Sequence, residues 1–551
     1  MASRKLGTTF ILSVLFWMAQ RPASAQSFQV QCPTSTITHP SNLTNVNAEP
    51  TYAGPTTFGT SAKGYQVPTG NVNGAIKCQQ ISGGDGFASM GDGTQTYLFA
   101  FGPLSGLEDI ANGLPGTEFP SVFNLPYAAT FVPGDPATTD GAGPGPNPAS
   151  TFGFNGAVGL APDRDCLAEA ACAATIPSSG IDGHVDPRPI MDVGVMNGNM
   201  PAPLFAIDED DEFFLTLTNV GQLMRPDLFE QHTVHFHGYP NASAFYDGVP
   251  DASVAINIGG SFTYYYLAPD AGTYFWHCHI TPPEHLQMGM VGQIYVRPRQ
   301  NRVAANSSLY DALVAQQGDP RTKCDLTDIL CSNPLPFGGT AGSAPRAATG
   351  NYAYNDGDGS TYYDVEYPLQ MHGFDPNFHF VGMTFNPEGF TEMKDKYFLL
   401  NGRSYPDTVT AGPLATQSSD GILHYSQPLP SIINIPLGGK ALLRIASLDV
   451  TEYQTLASLG IPMKIVGYNA KLLRDQAGNN LAYNANSITL AGGESLDVIL
   501  DATGIPAGTY YLYTPNLDHL SNDAENFGGL MTEVHVCSGN VSGPTFGNSC
   551  I

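Results

Sequence analysis

Positive charge is scarce in this 551-residue chain, which carries 22 Lys and Arg against 49 Asp and Glu. A field of that sign repels phosphate backbones and anionic lipid, so nucleic acid and membrane surfaces are poor partners. Long apolar runs are missing too: past the N-terminus, no segment reaches the roughly 18 apolar residues that a membrane-spanning helix requires. Sustained apolar periodicity of 3.6 residues is also absent, which argues against a helical architecture. What the chain has instead is abundant Gly (61) and Pro (44), placed between short β-branched and aromatic runs.

The first 25 residues read as an export signal: Arg4 and Lys5 precede the apolar "FILSVLFWMA", and "ASA" at 23–25 closes the segment. Removing it leaves 19 Lys and Arg, so the exported balance is about −30. A secreted, extracellular or periplasmic location is expected. Cysteine agrees with an oxidising compartment, and its odd count of nine leaves one thiol over after pairing. Sequence proximity suggests Cys166 with Cys172, Cys324 with Cys331, Cys537 with Cys550 and, by remainder, Cys32 with Cys78. Cys278, flanked by histidines, is the expected free thiol. Sequons stand at Asn42, Asn241, Asn306 and Asn540.

Runs such as "DEFFLTLTNV", "SFTYYYLA", "GQIYVRP", "SLDVILDA" and "GTYYLYTP" are strand-length and bounded by turn residues, the pattern of an all-β protein built as sandwiches or barrels. The division read from the sequence is a signal (1–25), a Gly/Pro-rich N-terminal extension (26–89), a first strand-rich domain (90–300), a linker holding one short helix (301–361), a second domain (362–538) and a tail (539–551). The densest acidic run, "DEDDE" at 208–212, reads as a solvated strand entrance, with a weak cation site as the alternative.

Six of the 13 histidines fall between 232 and 285, in "HTVHFHG" (232–238) and "HCHITPPEHLQMGM" (277–290). Successive strand residues face opposite sides, so His235 and His237 share one face while His232 takes the other. Likewise His277 and His279 share a face that Cys278 opposes. Two such strands side by side present two constellations: His232 with Cys278, joined from the following turn by His285 and Met290, and a quartet of His235, His237, His277 and His279. A thiolate, two imidazoles and a weak thioether are the ligands of a blue electron-transfer copper site. Met288 is the competing thioether. Zinc also accepts His2Cys, but a thioether adds little to its binding. The remaining histidines, His39, His184, His372, His379, His424, His519 and His535, read as surface or satisfied core residues.

These segments resemble the multicopper oxidases, whose copper-bearing cupredoxin domain carries H-x-x-H-x-H-G, then H-C-H-I, a further histidine and an axial methionine. The approach "VMNGNMPAPLFAIDEDDEFFLTLTNVG" is similar as well. The resemblance covers roughly 185–298 well and 362–536 loosely, and it implies two cupredoxin-like Greek-key β-sandwich or barrel domains, the second plastocyanin-like and without ligands. It further implies type 1 copper on His232, Cys278, His285 and Met290, and places His235, His237, His277 and His279 in the catalytic trinuclear cluster that reduces O2, with the H-C-H segment carrying electrons between them. The partners implied are O2 and a small-molecule or metal-ion reductant.

Two departures stand out. "TPP" at 281–283 lengthens the loop before His285 by two positions, and the chain supplies four of the eight histidines that a trinuclear cluster uses. A homo-oligomer in which two copies each contribute four would complete it, with type 2 and type 3 copper shared between chains. A structural surface module with incidental metal fits the complete ligand set least, and two further rival readings remain open. One is an electron-transfer or copper-holding protein without oxidase turnover. The other resembles the copper nitrite reductases, which typically have Asp where His235 stands and no histidine after the copper cysteine.

Overall fold

The computed structural model describes residues 32–551, except 124–197, 239–243, 320–343, 383–388, 417–423 and shorter gaps at 45–47, 107–108, 111, 223, 226–227, 229, 269, 476 and 546. The expected signal, His184 and the pairs Cys166 with Cys172 and Cys324 with Cys331 therefore lie outside the described residues. Cys32 and Cys78 form a disulfide, as do Cys537 and Cys550, while Cys278 is free and buried.

The chain is all-β. Its first unit pairs two four-stranded sheets. One contains β1 (Ile76–Ser89), β2 (Gln95–Pro103), β4 (Glu212–Gly221) and β6 (Ser261–Leu267) in the order β2-β1-β4-β6. The other contains β3 (Phe205–Asp208), β5 (His235–Phe236), β7 (Gly272–His277) and β8 (Val291–Arg297) in the order β3-β8-β7-β5. Strand β1, which the sequence places in the N-terminal extension, sits inside the first sheet, parallel to β4 and antiparallel to β2. Its sequence, "IKCQQISGGDGFAS", is polar and Gly-rich, so it lacks the β-branched alternation that marks a strand.

The two sheets close over aromatic rings. Trp276 of β7 stacks on Phe205 of β3 at 4.5 Å between centroids, and Phe101 of β2 lies 4.9 Å away. A Cβ on Gly292 would stand 2.5 Å from Trp276 Cε2, so only glycine lets β8 pass beneath the indole.

The second unit has a large sheet through Tyr397–Leu400, Val365–Phe374, Lys440–Ser447, Glu494–Asp501, Met463–Tyr468 and Lys471–Leu472. Facing it is a five-stranded sheet through Ile433–Ile435, Met531–Val536, Gly508–Tyr513, Gln454–Leu459 and Ser487–Leu490. Leu369, Leu443, Val498, Leu512 and Val534 pack between them. That core also takes Leu204, Ala206 and Tyr295 of the first unit, so the boundary between units is itself apolar.

The "DEDDE" run corrects its reading as a solvated entrance: Asp208, Glu209, Asp210, Asp211 and Glu212 are all buried. Arg299 pairs with Asp210 and, through its backbone N–H, donates to Glu209 at 2.6 Å. Arg302 also reaches Asp210, and His39 Nδ1 meets Glu212 at 2.6 Å. Burial pushes Glu209 up to about 7 despite Arg299. The compensating arginines lie about ninety residues downstream, so no local pattern announces them.

Glu366 ties the units together. Its carboxylate accepts from Arg297 Nε of β8 at 3.0 Å, from Arg444 Nε at 3.0 Å and from Tyr363 Oη at 2.8 Å. Burial would raise this carboxyl, but Arg297 and Arg444 prevail and hold it at about 2. An unfolded Glu titrates near 4.3, so the bridge contributes fully above that value and is lost as pH falls through about 2. Glu366→Gln would leave buried Arg444 with Asp497 at 3.6 Å. The expected loss at neutral pH is about 3–5 kcal/mol. Urea unfolding measured from neutral to acid pH should show that loss, with a flatter acid limb in the variant.

Candidate metal centre

The register of two short strands creates the site. His235 of β5 stands opposite His277 of β7, and Phe236 opposite Trp276. At the end of β7 the chain continues as Cys278 and His279, whose side chains leave on opposite sides, as alternation requires. The Cys278 N–H donates to the Met290 carbonyl at 3.1 Å, so the cysteine is anchored to the far end of the following loop. That loop holds a short helix, α1 (Pro282–Gln287), which begins after Thr281 in a left-handed conformation.

His232, Cys278 and His285 form the first group. Their ligand atoms lie within 4.8 Å of one another, and all three residues are fully buried. Cys278 Sγ is 3.2 Å from His285 Nδ1 and 3.9 Å from His232 Nδ1, and it accepts from the Thr233 backbone N–H at 3.4 Å. Met288 and Met290 are both fully buried. A Cβ on Gly83 would stand 2.7 Å from His232 Cδ2 and 3.4 Å from Met290 Cε, which places the Met290 thioether end beside His232. Gly83 belongs to β1, whose close approach the sequence does not announce. Phe99 packs edge-on to His285 at 5.1 Å, and Glu230 Oε2 lies 3.6 Å from His285 Nε2.

Burial alone would raise the Cys278 thiol, but His285 and His232 overcome it and hold the thiol well below its usual range. Burial depresses His285, yet the Cys278 thiolate lifts it to about 9. Burial lowers His232. The sulfur thus sits in a dry pocket with the Nδ1 atoms of His285 and His232 aimed at it, and both rings favour its thiolate form. That donor set fits copper: the soft sulfur suits Cu(I) and the imidazoles suit Cu(II).

His235, His237 and His277 form the second group, again with ligand atoms within 4.8 Å of one another. His237 Nε2 and His277 Nε2 are 2.9 Å apart. His279 joins by its ring, 4.9 Å from that of His235, although its ligand atoms lie outside the tight trio. His277 Nδ1 donates to the Cys278 carbonyl at 2.7 Å and His235 Nδ1 to the Asp247 carbonyl at 2.6 Å, which leaves each Nε2 unprotonated, that of His277 facing His237 Nε2. Burial, reinforced by neighbouring imidazoles, lowers His237 to about 4; burial takes His277 to about 3. Neutral imidazoles are the ligating form.

Sequence parity separates His232 and Cys278 from the other strand histidines and the following turn supplies His285, whereas Thr233, Asp247, Gly83 and Glu230 carry no signal of their own. Of the histidines read as surface or core, His39, His372, His379 and His519 are buried with polar partners. Among the described residues a third group that could hold an ion, the acidic Glu49, Asp208 and Asp211, already has Lys77 at 2.9 Å from Glu49.

Residues 183–301 match a family model described as multicopper oxidase. Laccase abr2 of Aspergillus fumigatus is 33% identical over 118 residues, 21% of this chain and 19% of the relative. A copper-containing nitrite reductase of Rhizobium meliloti is 34% identical over 122 residues, 21% of this chain and 29% of the relative. The chain spans about a fifth of the length of the first curated relatives it matches. A solved blue copper oxidase from Nitrosomonas europaea aligns at 21% identity with a TM-score of 0.40, over 62% of this chain and 78% of that one.

Gly83→Ala should disturb the first group without touching a ligand. The added methyl forces the His232 ring or the Met290 end aside, and overpacking of this kind costs about 1–3 kcal/mol. Urea unfolding of the metal-free protein would measure it, and an unchanged midpoint would mean that the ring has room to move.

Proposed function

We propose, from the match of residues 183–301 to the multicopper oxidase family model, that the protein is an exported copper-dependent oxidoreductase. In this reading His232, Cys278, His285 and Met290 hold type 1 copper, and His235, His237, His277 and His279 hold a second copper centre that reduces O2. The observation that carries it is the buried, free Cys278 sulfur with the Nδ1 atoms of His285 and His232 aimed at it. Copper in these donor sets would supply one-electron chemistry between Cu(I) and Cu(II). The export reading is supported by the signal-like N-terminus and by two disulfides.

The chain's own residues give each group its task. Cys278 is joined through one peptide unit to His277 and through the next to His279, so the two donor sets share a covalent backbone. The hydrogen bond from His277 Nδ1 to the Cys278 carbonyl adds a second connection. Phe99 and the fully buried Met288 help keep the first group dry. Glu230, a quarter exposed, lies against the His285 edge and marks where a reductant would approach. The chain's acidity favours a neutral or cationic reductant.

The second group presents four imidazoles, with His235, His237 and His279 partly exposed. Two copies of the chain meeting about a two-fold axis would supply eight. The expected metal content of such a dimer exceeds one copper per chain. A size-separated sample at one copper per chain would leave type 1 copper alone, which is the reading of an electron-transfer protein.

Cys278→Ser should abolish the intense visible absorption of a copper–thiolate bond while leaving the histidine quartet able to bind metal. Oxygen uptake with a phenolic donor, compared with nitrite consumption, separates the oxidase from the nitrite-reductase reading that the Rhizobium meliloti relative supports. Retained colour in Cys278→Ser would sink the assignment.

A further inference from the structure

The ligand-free second unit grips the ligand loop through Gln287. This side chain is fully buried and lies on α1, two residues after His285 and three before Met290. Its Nε2 donates to Asp395 Oδ1 at 3.0 Å, and its Oε1 accepts from the Asp375 backbone N–H at 3.0 Å. Its main-chain carbonyl lies 2.9 Å from His379 Nε2. All three partners belong to the second unit. His379 stands in α3 (Pro376–Gly382), counting Leu309–Gln316 as α2. Its ring stacks on Phe374 at 3.6 Å, and its Nδ1 lies 2.6 Å from the Tyr97 carbonyl of β2, so it spans the ligand loop and the sheet that packs over it.

The loop's own secondary structure does little to fix its shape. Helix α1 is six residues long, Thr281 gives it no side-chain cap, and two prolines begin it. A helix that short has no independent stability. Gly289, at φ 112, then turns the chain toward Met290.

We infer that the second unit, through Asp375, His379 and Asp395, clamps Gln287 and thereby fixes where His285 and Met290 stand relative to Cys278. Gln287 is a positioning residue in this assignment. The inference rests on the copper reading for its spectroscopic consequence, but its mechanical content concerns the loop alone.

The alternative is that these bonds merely hold the two units together. Gln293 provides the control. It is buried on β8, and its Nε2 donates across the same boundary to the Arg444 carbonyl at 2.7 Å, but it lies outside the loop. Three variants are compared: Gln287→Met, Gln293→Met and Asp395→Ala, the last removing a clamp partner with the loop sequence intact. In the metal-free protein, Gln287→Met and Asp395→Ala should speed amide hydrogen exchange at Met288, Gly289 and Met290 by roughly tenfold, the scale of losing one or two hydrogen bonds. Gln293→Met should leave those amides as in the parent. In the copper-loaded protein Gln287→Met and Asp395→Ala should shift the copper–thiolate absorption, the electron-paramagnetic hyperfine splitting and the midpoint potential at full occupancy, and Gln293→Met should shift none. Equal effects of Gln287→Met and Gln293→Met, or no local change in either clamp variant, would overturn the clamp. If the parent takes up no copper at Cys278, the proposed function fails, and the exchange comparison still decides the clamp.

Discussion

An extended chain cannot put neighbouring side chains on the same face, and that restriction organises everything around residues 277–279. Cys278 points into a dry core beside His232 and His285, and both of its neighbours turn toward the opposite group. One three-residue segment thereby belongs to two sites at once. The remainder of the first unit supports this division. The antiparallel register sets His235 against His277, and the bond from Cys278 N–H to the Met290 carbonyl closes the loop that returns His285 to the sulfur. His285 and His232 do the electrostatic part, since they hold the Cys278 thiol well below its usual range against a burial that would raise it.

Much of this is legible in the sequence, because period-two alternation is a short-range property. The all-β class follows from turn-bounded runs such as "SFTYYYLA", in which Tyr264 and Tyr266 are indeed buried. Odd and even spacing separates His232 and Cys278 from His235, His237 and His277, whereas His285 reaches the sulfur from the helix that follows the strand. The free thiol and the pairs Cys32–Cys78 and Cys537–Cys550 also agree with the structure. What escapes are features that depend on distant segments meeting. Strand β1 looks like loop because it is rich in glycine, and at Gly83 the missing side chain leaves room for His232 and the end of Met290; only the pairing of β1 with β2 and β4 reveals it as a strand.

The acidic run at 208–212 teaches the same lesson from the side of charge. Five adjacent acidic residues read as a surface, yet they form a buried network with Arg299, Arg302 and His39. Burying carboxylates is tolerable only with cations and hydrogen bonds in place. The scarcity of Lys and Arg thus coexists with a pattern in which some of the few present are committed to the interior. Glu366 with Arg297 and Arg444 repeats it at the boundary between units.

Trp276 lies two residues from the thiolate and stacks against Phe205 in a fully enclosed setting. The other tryptophan of the chain, Trp17, falls in the segment read as an export signal. A chain shortened by that segment therefore carries a single indole, in the same apolar cluster as the sulfur proposed to bind the redox ion. Its ultraviolet emission becomes a built-in gauge of loading: bright when the sulfur is bare, dimmed when a paramagnetic neighbour offers the excited ring a fast way to relax.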